Sequence, residues 1–130
     1  KFRAWSTFHN KWVKHFYITE NGLIYNMEQP HRDLIGAVPI EKSGLVVMQS
    51  TGLFDINGKE IFEGDIIVAM SQGVKVIGEV KQRIDGYWLM YPAWQHGELW
   101  HIVENVDTGE TGVEVVGNIY ENKELLEGTE

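Results

Sequence analysis

Apolar and polar residues alternate over short runs that are repeatedly interrupted by glycine next to Asn, Asp or Gln, which is the pattern of strands and tight turns and not of helices. Phe2 to Trp5 and Lys14 to Thr19 read as the arms of a first pairing, and Asn21-Gly22 turns the chain into Leu23 to Tyr25. Residues 26–43, with Pro30, Gly36, Pro39 and no sustained period, read as an irregular connection of low order. Leu45 to Gln49 is a compact apolar strand. Asn57-Gly58, between Leu53 to Ile56 and Glu60 to Phe62, is the strongest hairpin signal and reads as a type I′ turn. Glu63-Gly64-Asp65 leads into Ile66 to Met70, Gln72-Gly73 into Val74 to Gln82, and Asp85-Gly86 into Tyr87 to Tyr91. Beyond Pro92 the chain reads as loop, a strand from Leu99 to Val103, and turn. A last strand covers residues 112–120 with Gly117 marking a bulge, and residues 121–127 form a short helix with Asn122 as its cap.

Strands linked by glycine turns at every corner predict a mainly β single domain over residues 1–130, a small bent barrel that is SH3-like in its central and C-terminal part and ends in a short helix. Its expected parts are an N-terminal β segment at 1–25, the connection at 26–43, the barrel-like part at 44–120 and a helix or tail at 121–130.

Composition narrows the function classes. With 43% apolar and 12% aromatic residues in a chain of 130, a core can be buried without covalent or metal staples. The absence of cysteine removes disulfides, CxxC redox pairs, zinc ribbons and thiol nucleophiles, and fits a reducing compartment. The segment Lys1 to Trp5 lacks the apolar stretch of a signal peptide and no long apolar run follows, so the expected location is the cytoplasm, with no membrane partner. A net charge of −8 repels a phosphate backbone and disfavours nucleic acid as partner; Lys1, Arg3, Lys11 and Lys14 form the basic cluster that stands against it.

Three segments carry a family resemblance: Lys1-Phe-Arg-Ala-Trp5; Val47 to Ile67 with its Thr-Gly-Leu, Asn-Gly-Lys-Glu-Ile and Glu-Gly-Asp-Ile elements; and Val115 to Asn122 followed by Glu124 to Glu127. In these the chain resembles the YopX family of small bacteriophage and prophage proteins, and the segments span it from end to end. It departs from the family's pattern at Ser50, where an aromatic is usual, and near Phe54, where a basic residue is usual. The resemblance implies a phage-encoded accessory protein that acts in a bacterial host's cytoplasm and self-associates; a host or phage protein is the other partner to be considered. It carries over no catalytic residue and no cofactor.

The polar clusters, taken by themselves, lead to turns and loops. Asp107-Thr108-Gly109 matches the aspartic-protease triplet, but it lies between Glu104 and Glu110 and lacks the apolar flanks that make two aspartates share a proton. His96, Glu98 and His101 are three potential metal ligands; on a strand the first two share a face and the third points away, so they read as a polar loop entering a strand. Asp55 to Glu60 opens like a calcium loop but lacks its fifth- and twelfth-position ligands. The aromatic run Tyr87 to Trp94 is the candidate surface. As a strand it puts Tyr87, Leu89 and Tyr91 on one face and Trp88 and Met90 on the other, and Trp88, Tyr91 and Trp94 are the interface candidates. The function expected is therefore protein binding, self-association included. A small nucleic-acid-binding barrel, marked by a basic stripe, and a hydrolase, marked by convergent carboxylates and histidines in a pocket, are the alternatives.

Overall fold

The computed structural model describes residues 1–28, 37–71, 73–95, 98–102 and 111–127, and of residues 71, 74, 92–95, 98–101 and 127 the backbone alone. The chain is mainly β with a short C-terminal helix, as the glycine-punctuated pattern predicts. It forms two compact units, Lys1–Met48 and Gln49–Glu130.

In the first unit β1 (Phe2–Ser6) pairs antiparallel with β2 (Lys11–Val13), setting Ala4 opposite Val13 and Trp5 opposite Trp12. This corrects the expected pairing of Phe2 to Trp5 with Lys14 to Thr19. Asn10 adopts a positive φ of 52°, so the chain reverses earlier than any glycine signals. The Glu28 carboxylate then accepts the Lys14 and His15 N–H groups at 2.8 Å each, outside the ladder. Residues 16–18 instead start a separate sheet, in which β3 (Phe16–Ile18) pairs with β4 (Leu23–Asn26) and β4 with β5 (Val38–Pro39). One helical turn, α1 (Ile40–Ser43), follows and ends at Gly44 in the left-handed conformation.

The ordered β5 and α1 correct the expectation of an irregular connection over 26–43; residues 29–36 of that segment lie outside the described ones. Apolar burial is the reason. Val38 and Ile40 pack with Phe16, Ile18 and Val47 against a cluster of Ala4, Val13, Ile24 and Leu45. Pro39 is tolerated because β5 pairs on one side only.

The strand β6 (Leu45–Phe54) begins in the first unit, beside β1, and ends in the second, where it pairs with β7 (Glu60–Phe62). There β8 (Asp65–Ser71), β9 (Val74–Gln82), β10 (Trp88–Gln95), β11 (Glu98–His101) and β12 (Val113–Asn118) form one antiparallel sheet in the order β11-β10-β9-β8-β12. Successive hairpins link β8 to β11, and among the described residues β11 and β12 do not pair with each other. Its core gathers Ile61, Ile67, Ala69, Val76, Val80, Met90, Ile102 and Val113. On β9 the buried positions Val76, Gly78 and Val80 share one face, and a Cβ at Gly78 would collide with Met90 and lie 2.5 Å from the Tyr91 carbonyl oxygen. The ladder of β12 with β8 slips between Val115 and Gly117, the bulge expected at that glycine.

Three hairpins close in the same way. Thr19, Asp55 and Arg83 each donate N–H to the carbonyl four residues on (Leu23, Lys59, Tyr87) and accept the N–H of the glycine three residues on (Gly22, Gly58, Gly86), at 2.7–3.0 Å. The glycines have φ of 83°, 79° and 95°, whereas among the described non-glycine residues only Asn10 has positive φ. A type I′ turn needs positive φ at both central residues; here Ile56 and Asn57 are not in that region, so Asn57-Gly58 closes as a type I turn followed by a glycine bulge. The Asn-Gly pair marks the hairpin correctly but sits one position later in the turn than type I′ requires. At the C-terminus α2 (Glu124–Glu127) forms, and Asn122 is not its side-chain cap: its carboxamide oxygen accepts the Asn118 N–H at 3.2 Å.

Two glycine substitutions separate conformational from steric cost. Gly58→Val meets no atom within 4 Å at its Cβ, so its expected cost in urea unfolding, about 1–2 kcal/mol, is that of forcing a side chain into positive φ. Gly78→Ala has an ordinary φ and is expected to lose about 1–3 kcal/mol through overpacking. An unchanged unfolding midpoint in either variant contradicts the corresponding account.

Candidate functional site

The buried polar side chains are where chemistry would be sought first, and among the described residues they are Ser6, Asp55, Asp65 and Asn118. Asp55 is 1% exposed. Its Oδ1 accepts the N–H groups of Asn57 and Lys59 at 2.9 and 2.8 Å, and its Oδ2 accepts that of Val115 on β12 at 3.0 Å. Burial pushes the pKa of this carboxyl up, and the three backbone donors outweigh it and hold the group below the ordinary carboxylate value. Asp55 is thus an ionised acceptor whose bonds all end on the backbone of its own unit, which suits neither a general acid nor a general base.

The other buried groups are spent similarly. Asp65 Oδ2 accepts the Phe62 N–H at 2.8 Å. Asn118 Oδ1 accepts the N–H groups of Tyr120 and Glu121 at 3.0 and 2.9 Å, while its Nδ2 donates to Glu121 Oε1 at 2.9 Å. Among the described residues no three His, Cys, Asp or Glu side chains converge as a metal site would need. A shallow depression between Thr7 and the Ile40 to Val47 segment is lined by one carboxylate, Glu41, and no histidine, which is not the constellation of a hydrolase.

The aromatic run is divided by the pleat of β10. Met90 lies in the core and Trp88 packs half-buried against it. Leu89 is 2% exposed, so the middle of the strand is covered on both faces. Tyr87 and Tyr91 stay out, 61% and 37% exposed. A cation from β9 or the turn after it lies over each ring: Arg83 is 5.6 Å from the Tyr87 centroid and Lys81 5.3 Å from that of Tyr91. Arg83 is itself held by a fork to Asp85, with Nε 2.9 Å from Oδ1 and Nη2 2.6 Å from Oδ2.

Of the interface candidates, Tyr91 is therefore surface, Trp88 belongs largely to the core, and the Trp94 side chain lies outside the described ones. The His96, Glu98 and His101 side chains and the Asp107-Thr108-Gly109 triplet likewise lie outside the described residues. Sequence reasoning passed over Asp55 as a hub. Its signal was present, because Asp at the first position of Asp-Ile-Asn-Gly is the residue that accepts N–H groups further along its own turn.

The profile of the YopX protein family matches residues 1–127. Among solved structures the chain is similar to the crystal structure of protein EF1440 from Enterococcus faecalis, with 26% identity, a TM-score of 0.54, and coverage of 97% of this chain and 96% of that one. No curated protein matches the chain. Among the described residues no helix is long and apolar enough to cross a membrane.

Replacing Asp55 by Asn keeps the shape but puts a donor against a donor, and urea unfolding at neutral pH is expected to show a loss of about 1–3 kcal/mol. The wild type carries a matching pH signature. Its folded pKa lies below the reference value of 3.8, so this stabilisation is complete above 3.8 and drains as pH falls through the folded value. The wild-type and Asn variant stabilities should converge as acid is added, and curves that stay parallel would show that the carboxylate charge is not what the turn uses.

Proposed function

The chain belongs to the YopX family, and on that footing we propose that it is a phage or prophage accessory protein that works by binding protein, copies of itself included, in the cytoplasm of a bacterial host. The observation that carries this reading is the pair of exposed tyrosines, Tyr91 on β10 and Tyr87 immediately before it, each with a cation over its ring. Tyrosine offers a large, stiff, amphipathic contact, and the packed strand beneath has already fixed its backbone, so little order remains to be lost on binding. Lys81 and Arg83 supply charged donors beside the rings. Both oxygens of the Asp55 carboxylate are engaged by backbone N–H groups, which favours binding over catalysis as the role.

The test is light scattering after size exclusion at micromolar concentration, where a mass that is a multiple of 14.9 kDa is expected. A monomer mass refutes self-association. The double variant Tyr87→Ala, Tyr91→Ala is expected to fold and to shift the distribution toward monomer; an unchanged mass would place the contact elsewhere. Trp88→Ala is no substitute, because removing a side chain packed on the core costs stability whatever its role at a surface.

A further inference from the structure

The net charge of −8 conceals a division. Lys1–Met48 holds six Lys and Arg against four Asp and Glu, whereas Gln49–Glu130 holds five against fifteen. The bias sharpens at the start: residues 1–19 contain Lys1, Arg3, Lys11 and Lys14, two histidines and no carboxylate, interleaved with Phe2, Trp5, Phe8, Trp12, Phe16 and Tyr17. Charges are screened beyond about 8 Å at physiological ionic strength, so this local composition, and not the net charge, governs what the first hairpin meets.

The structure puts much of this set on the surface. Lys11 and Lys14 are exposed, and so is every residue of the turn from Thr7 to Asn10. Phe2 is 50% and Phe8 68% exposed. Phe8 is nevertheless held in place: its ring lies over Gly44, with carbons 2.5–2.7 Å from where a Cβ on that residue would stand. The Arg3 guanidinium lies 4.6 Å from the Trp12 ring centroid. The Glu28 carboxylate, which lies beside Lys14, accepts the backbone N–H groups of Lys14 and His15.

We propose that the β1–β2 hairpin binds single-stranded nucleic acid without sequence preference, Lys11 and Lys14 meeting phosphates and the exposed ring of Phe8 stacking on an unpaired base. Cations interleaved with open aromatic faces are the recurring arrangement for this ligand. A duplex keeps its base faces stacked and offers Phe8 nothing, and a peptide made of acidic residues alone has no ring to stack. The inference is independent of the protein-binding surface on β10.

The experiment is fluorescence anisotropy of the full chain with a labelled oligothymidine of about 20 nucleotides, first at about 50 mM salt and then at rising salt. Expected are salt-sensitive binding and much weaker binding to the same strand annealed to oligodeoxyadenosine. Lys11→Glu with Lys14→Glu should lose about tenfold or more in affinity. Phe8→Leu, which keeps apolar cover over Gly44 and removes the ring, should lose about tenfold. Each variant is checked by its melting temperature, with Lys14→Gln in reserve should the double reversal not fold. No binding at low salt overturns the proposal. So do equal binding of duplex, equal competition by polyglutamate, or full affinity in folded lysine variants.

Discussion

The carboxylate of Asp55 is the constraint on which the second unit's arrangement turns. One side chain accepts N–H groups from its own turn and from a strand sixty residues away. The Val115 bond is reinforced by two more contacts of the same segment, Ile56 N–H to the Val113 carbonyl at 2.9 Å and Thr111 Oγ1 to the Phe54 carbonyl at 2.9 Å. Two of these bonds engage the Val115 N–H and the Val113 carbonyl of β12, a strand paired on another side with β8. An ion buried this deeply is stable only because charge-assisted bonds repay its desolvation, and the depressed pKa is the sign that they do.

A second regularity is the repeated turn. Thr-Glu-Asn-Gly, Asp-Ile-Asn-Gly and Arg-Ile-Asp-Gly share one backbone pattern although only their last two positions are alike in chemistry. Asn or Asp suits the third turn position and glycine the left-handed fourth. The first residue is thereby free to differ. Thr19 uses its hydroxyl to hold Asn21, Asp55 reaches out to β12, and Arg83 forks onto Asp85 beside an exposed tyrosine.

Much of the fold was legible because alternation and glycine turns act locally. The strands of 65–82, the hairpin at 57–58 and the bulge at Gly117 all follow from neighbours in sequence. The misreadings share a cause, a decision made by distant partners. Asn10 turns the chain without a glycine, and β2 rather than Phe16 to Ile18 then meets β1 because Val13 completes the cluster with Ala4, Ile24 and Leu45. Val38 and Pro39 become a strand because β4 lies beside them, which no period in residues 26–43 foretells. At the candidate surface the alternation of Tyr87 to Tyr91 was readable, but Lys81 reaches the Tyr91 ring through the register of β9 with β10, which sequence leaves open, and Arg83 reaches Tyr87 across the turn between those strands.

The contrast between the short turns and the Val115 bond bears on how the chain reaches this structure. Each of the three hairpins closes a loop of a few residues, an event of microseconds with little chain entropy to lose. Joining Asp55 to Val115 closes a loop of sixty residues and gains its bonds only after the ends have met. The turns thus close at little cost in chain entropy, whereas seating β12 on Asp55 costs the closure entropy of sixty residues, which the bonds to that carboxylate help to offset.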